Sequence, residues 1–112
     1  MGAADSTLAP YAGTWSTLVD DTPMGTIQGT LTVERDGTGV LSIAAMNVWD
    51  AAVTGLSGAT GALVGASTFA SSVSGQTHTT TITLAPSADD TLSGTIDDSG
   101  VPYGMTARRA DP

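Results

Sequence analysis

The sequence predicts an all-β fold, a single eight-stranded antiparallel up-and-down barrel. Three observations carry that expectation. Apolar and polar residues alternate with a period of two in short segments, turn signals separate those segments, and no stretch has a convincing helical period. The 112 residues fit one domain and leave no room for a second core. Eight strands are the smallest number that commonly closes with a usable interior, and closure removes the exposed edges of a sheet.

Residues 1–10 are expected to form a flexible arm. Strand A then runs from Ala12 to Val19, and Asp20-Asp21-Thr22-Pro23 turns the chain. Strand B, Met24 to Glu34, sets Ile27, Leu31 and Val33 on one face against Thr26, Gln28, Thr30 and Thr32 on the other. Asp36-Gly37 is the strongest hairpin signal, because the turn needs positive φ and these residues tolerate it. Strand C covers Thr38 to Ala45 and strand D Asn47 to Thr54. No Gly or Pro interrupts Ala44 to Asn47, so one long bent strand and a helical turn both stay open there. Gly55 to Gly65, rich in Gly, Ala, Ser and Thr, reads as a long loop and a flap over one barrel mouth. Strand E, Ala66 to Val73, turns at Ser74-Gly75 into strand F, Gln76 to Ala85. After the polar loop Pro86 to Asp90, strand G covers Thr91 to Asp97, Asp97-Asp98-Ser99-Gly100 turns, and strand H covers Val101 to Arg109.

A Gly-Thr-apolar echo recurs at Gly13-Thr14-Trp15, Gly25-Thr26-Ile27, Gly29-Thr30-Leu31 and Gly94-Thr95-Ile96. Thr suits the outer face of a strand, while Gly beside a large inward residue lets the strand coil. Parity sets the facing. Trp15 inward brings Gly13, Thr17 and Val19 with it; on strand F, Ile82 and Leu84 bring His78 and Thr80. On strand H the inward set is Val101, Tyr103, Met105, Ala107 and Arg109. Strand D admits two answers, and the set Trp49, Ala51, Val53 is expected inward because it buries more apolar area than Val48, Asp50, Ala52.

Glycine and tryptophan opening the first strand, in Ala12-Gly13-Thr14-Trp15, and an arginine closing the last, in Ala107-Arg108-Arg109, resemble the calycin superfamily of lipocalins, fatty-acid-binding proteins and avidins. The resemblance implies that Trp15 closes one barrel end and that Arg109 lies across its ring. Thr22 to Val33, Asp90 to Thr95 and Tyr103 to Arg109 look like a small bacterial calycin-like domain, found alone or appended to hydrolases; Met46 to Val73 departs from that pattern. Fold is what such a likeness implies, and function hardly at all.

Charge excludes more than it selects. The net charge is −8, Lys is absent, and the cations are Arg35, Arg108 and Arg109. Nucleic acid requires a basic stripe and an anionic membrane would repel the chain, so neither is expected as a partner. A neutral or cationic small molecule fits better, or an anion small enough for one arginine. With zero Cys there is no disulfide or thiolate site. Met1 to Pro10 has neither a basic residue nor an apolar run, which favours a cytoplasmic over a secreted location.

With five aromatics and many small inward residues, the interior is expected to hold a cavity rather than to collapse. Its expected ligand contacts are Trp49, Phe69, His78, Tyr103, Met105 and Ile82. His78 is the lone histidine, and an inward imidazole can act as general acid or base or ligate an iron. Tyr103 could donate to a developing oxyanion and Asp50 could orient the ring. The plainer reading is a hydrogen-bonded or solvated histidine at the barrel mouth, and nothing else marks haem ligation. The pairs Asp20-Asp21, Asp89-Asp90 and Asp97-Asp98 sit at turns and read as solvated caps, not calcium loops. No Gly-x-Ser-x-Gly, Walker or dinucleotide motif occurs, which leaves hydrolase and nucleotide readings without support. The expected function is therefore to hold a small, largely apolar, neutral molecule, without cofactor or metal. The alternatives are a cofactor-free isomerase, cyclase or lyase working through His78 and Tyr103, and an assembly domain with no ligand.

Overall fold

The computed structural model describes residues 6–22, 25–59 and 61–110. Eight antiparallel strands close into an up-and-down barrel: β1 (Gly13–Thr22), β2 (Gly25–Val33), β3 (Gly39–Ile43), β4 (Val48–Ser57), β5 (Leu63–Ser71), β6 (Gln76–Ala88), β7 (Thr91–Asp98) and β8 (Val101–Arg109). The architecture is compatible with a calycin-like fold. Two 3-10 segments accompany the strands, Ser6–Tyr11 before β1 and Ala44–Met46 between β3 and β4. The second resolves the choice at Ala44 to Asn47 in favour of a helical turn, closed by Asn47 in the left-handed region at φ 55°. Among the described residues, no helix is long and apolar enough to cross a membrane.

Strand burial follows the expected parity. Thr17 and Val19 on β1, Ile27, Leu31 and Val33 on β2, and His78, Thr80, Ile82 and Leu84 on β6 are all buried. On β8, Met105 and Ala107 are buried and Tyr103 is half-buried, but Val101 is exposed where the strand leaves the turn.

The two ends of the barrel differ. At the end where β1 starts and β8 finishes, Trp15 pairs in register with Arg109. The guanidinium carbon sits 4.3 Å from the centre of the indole ring. Arg109 Nη1 donates to the Ala12 carbonyl and Nη2 to that of Pro10, both at 2.8 Å, while Trp15 Nε1 donates to the Tyr11 carbonyl at 2.8 Å. These contacts draw Ser6–Tyr11 over the end as a plug, with Leu8 and Tyr11 in the core. Where an arm is expected, Ser6–Tyr11 forms a 3-10 turn and Leu8 fills an apolar hole, a burial that favours docking of this segment. Residues 1–5 of that arm lie outside the described residues.

Backbone irregularities account for the other departures. Between Leu41↔Ala51 and Ile43↔Val48, Trp49 and Asp50 together face Ser42, with Asp50 at φ 55°. This bulge flips the facing partway along the strand. Val48 is buried at 3% exposure and Trp49 is 63% exposed, whereas Val53 returns to the interior. The inward placement of Trp49 is thereby corrected. Ser42 Oγ accepts from the Asp50 N–H at 2.9 Å and holds the bulge. A second bulge at Gly55 keeps Leu56 inward, so β4 runs on to Ser57 and β5 starts at Leu63. The expected Gly55 to Gly65 loop shrinks to 58–62, and this connection lies at the plugged end, not over the open mouth.

Three glycines of the recurring motif leave no room for a side chain. A Cβ on Gly94 would run into the Thr83 carbonyl oxygen, one on Gly29 would meet the Ser42 carbonyl oxygen at 2.7 Å, and one on Gly13, at φ +128°, would meet Arg109 Nη1 at 2.9 Å. At the 34–38 turn, Asp36 Oδ1 accepts from Thr38 Oγ1 at 2.6 Å and from its N–H at 2.9 Å, which holds the Asp36 carboxyl below its ordinary pKa.

Two stability predictions follow from the plugged end and the coiled strands. Arg109→Ala should cost about 2 kcal/mol in urea unfolding, through lost stacking, stem packing and two hydrogen bonds. Arg108→Ala, at an exposed position one residue away, should stay within about 0.5 kcal/mol. Gly94→Ala should cost at least about 2 kcal/mol, because backbone on a neighbouring strand must move.

Candidate functional site

The open end is where β1, β3, β5 and β7 finish. A cavity of about 140 Å³ lies inside it, walled by Val19, Ile27, Ile43, Met46, Phe69 and Ile96, with Tyr103 at its side. Thr22, Ser74, His78, Thr80 and Asp98 supply its polar atoms. Below Thr80 the barrel narrows to a gap too small for water, where Leu31, Leu41, Val53 and Ile82 close around Ser67, a buried hydroxyl without a hydrogen-bond partner among the described residues. The interior is thus hollow in one half and collapsed in the other.

His78 sits near the start of β6 with its side chain 11% exposed. Its ring stacks on Phe69, the registered neighbour on β5, with centroids 5.5 Å apart and planes at 26°. Nδ1 lies 2.9 and 2.8 Å from the two carboxylate oxygens of Asp98 on β7. Nε2 lies 2.7 Å from Ser74 Oγ in the β5–β6 turn. A carboxylate only accepts, so Nδ1 carries the hydrogen. In the neutral ring Nε2 is then the acceptor, and Ser74 donates to it. The result is an ordered chain, Ser74 to His78 to Asp98, at the edge of an apolar cavity.

The sequence-derived candidates divide accordingly. Phe69, His78 and Tyr103 line the cavity. Ile82 and Met105 are buried but do not line it: Ile82 belongs to the packed layer beneath, and Met105 is 2% exposed within the core. Trp49 is on the outer wall, where Nε1 donates to Asn47 Oδ1 at 3.0 Å. Asp50 is exposed on its bulge and lines no part of the cavity; the carboxylate that orients His78 is that of Asp98. Trp15 and Arg109 hold the opposite end, as their pairing implied.

Ser74 and Asp98 are the residues sequence reasoning missed, because both read as turn formers. Parity held a signal for one of them. Leu92 and Ile96 face inward on β7, and two residues further the same face carries Asp98. Its neighbour Asp97 does behave as a turn cap, accepting from the Gly100 N–H at 3.0 Å. For Ser74 the only sequence clue is its position four residues before His78 across a tight turn.

The cations are confined to one end. Arg35, Arg108 and Arg109 all belong to the plugged end, where Glu34, Asp36, Asp89 and Asp90 accompany them, whereas Asp20, Asp21, Asp50, Asp97 and Asp98 lie on strand ends and turns around the open end with no arginine among them. Comparison with known proteins finds no match, whether among family models, curated proteins or solved structures.

The bulge assigns opposite weights to adjacent residues. Val48→Ala should destabilise by about 1–3 kcal/mol in chemical denaturation. Trp49→Ala should change stability by less than about 0.5 kcal/mol, as for an exposed side chain, and should not alter binding in the cavity.

Proposed function

We propose that the barrel binds a small, largely apolar molecule in its open half, with the molecule neutral or carrying one positive charge. The observation that carries this reading is the 140 Å³ cavity with six aliphatic or aromatic walls and a few polar residues, Thr22, Ser74, His78, Thr80 and Asp98, among them. An apolar protein cavity of about 150 Å³ takes up a molecule of benzene's size. The space therefore suits a single ring with a short substituent and excludes a long acyl chain or a sterol. Apolar contact supplies the driving force, at roughly 25 cal/mol per Å² removed from water.

Charge narrows the class. No arginine borders the cavity, and the mouth carries Asp98 with Asp20, Asp21 and Asp97 nearby in the fold. That field concentrates cations and repels anions. The allowance for a small anion held by one arginine loses its footing, because every arginine is at the other end.

Titration of the protein with p-cresol, benzylamine and benzoate, followed by ligand-detected NMR, tests the reading. The cresol and the amine should bind, and benzoate should bind at least about tenfold more weakly. Ile27→Trp should fill the cavity and abolish binding of all three while the barrel stays folded. Equal binding of benzoate, or binding that survives Ile27→Trp, would show that the molecules bind elsewhere.

A further inference from the structure

We propose that Ser74 is an acylatable nucleophile, activated by His78 and oriented through it by Asp98, and that its substrates are small activated aryl or alkyl esters. Three independent elements converge to make the chain. The β5–β6 turn supplies Ser74, β6 supplies His78 and β7 supplies Asp98, with contacts of 2.7 Å on one side of the ring and 2.8 Å on the other. The tautomer is the productive one, since Asp98 fixes the hydrogen on Nδ1 and leaves Nε2 to accept the serine proton. Phe69 holds the ring plane, which limits the rotation that would break either contact. Ser74 is exposed to solvent yet lines the cavity, so an ester could place its ring inside and its carbonyl at the rim.

The step balances without a cofactor. Ser74 Oγ forms a bond to the ester carbonyl carbon as its proton passes to His78 Nε2. The tetrahedral centre collapses, the carbon–oxygen bond to the leaving group breaks, and the Nε2 proton goes to the departing oxygen or to solvent. Water then attacks the acyl-serine, giving one proton to Nε2, and the acid leaves as Ser74 Oγ recovers that proton. Asp98 is a positioning residue throughout and makes no bond to substrate.

The surrounding backbone fixes the substrate class. The N–H groups of Val73 and Ser74 point to Ser71 Oγ, that of Gly75 to the Ser71 carbonyl, and that of Gln76 to Ser74 Oγ itself. All are committed within the turn, so they offer no ready pair of donors for an oxyanion. Without such a pair, cleavage depends on a leaving group that departs easily. Activated esters qualify, whereas amides do not. The acidic rim selects neutral donors over anionic ones.

This proposal rests on the binding reading in one respect, the seating of the ester's ring in the cavity. The experiment is incubation of the full chain with p-nitrophenyl acetate, read by nitrophenolate release and by intact and peptide mass spectrometry. The expected result is a burst of nitrophenolate with one acetyl group on Ser74. Ser74→Ala should lose both, and His78→Gln should slow acylation by about 100-fold or more. Asp98→Asn should lower the maximal acylation rate while leaving the half-saturating ester concentration unchanged, a split that simple loosening of the mouth would not produce. Absence of acetylation, acetylation only at other residues, or Ser74 acetylation that His78→Gln leaves at full rate would each overturn the proposal. Binding of p-cresol is measured on the same samples. Binding without acylation sinks this proposal alone, and acylation of Ser74 without cresol binding sinks the binding reading alone.

Discussion

Everything at the open end depends on how the other end is shut. Arg109 lies across the Trp15 ring and donates to two carbonyls of the segment that precedes β1, so a single side chain ties the last strand, the first strand and the N-terminal turn together. The guanidinium suits this because its planar face stacks while its edge still donates. Its ion pair with Asp90 at 3.1 Å adds little, since that carboxylate is 72% exposed. The consequence is polarity: one end is filled by Leu8, Tyr11 and Trp15, and large residues are spent there. The opposite half has no such plug among the described residues, and Val19, Ile27, Ile43, Met46, Phe69 and Ile96 stand around a hollow there.

Architecture was legible where side chains alternate without interruption. The inward faces of β1, β2 and β6 follow from period two alone, because one residue of slip would turn the whole apolar set toward water. Legibility failed where the backbone inserts a residue. At Trp49-Asp50 the wish to bury the larger side chain predicts the wrong facing, because Asp in the left-handed region absorbs the slip and Ser42 anchors it. At Gly55 a glycine that reads as loop composition serves as a bulge inside a long strand. Composition cannot separate these cases: the same Gly and Asp residues make turns, bulges and close strand contacts. Leu8 was hidden for a different reason, since a lone apolar residue among small ones carries no periodicity.

The site was half legible for a related reason. His78, Phe69 and Tyr103 lie on strand faces, so parity could place them. Ser74 and Asp98 lie at strand ends, where turn chemistry explains each residue without reference to any partner. Asp97 and Asp98 show how little the residue type decides. The first caps a turn and the second, one residue earlier on the opposite face than Ser99 and one later than Asp97, ends a run of inward positions and meets an imidazole. Only register, Thr80 opposite Asp98 and Phe69 opposite His78, brings the cluster together.

That cluster also explains how polar groups persist in an apolar chamber. A buried imidazole with an empty nitrogen would cost the free energy of an unmade hydrogen bond, about 1–3 kcal/mol. Here both ring nitrogens are engaged by the protein and the ring face is covered by Phe69, so His78 presents little unsatisfied polarity to the cavity. An apolar molecule can occupy the space without breaking any of these bonds. The group that faces outward from the chain is the Ser74 hydroxyl, which donates to one ring nitrogen and accepts from the Gln76 N–H, leaving one lone pair for solvent or a ligand at the rim. Binding and reactivity are therefore separable within a single cavity: the walls select by size and charge, and the edge acts only on a molecule that brings an electrophilic carbon to it.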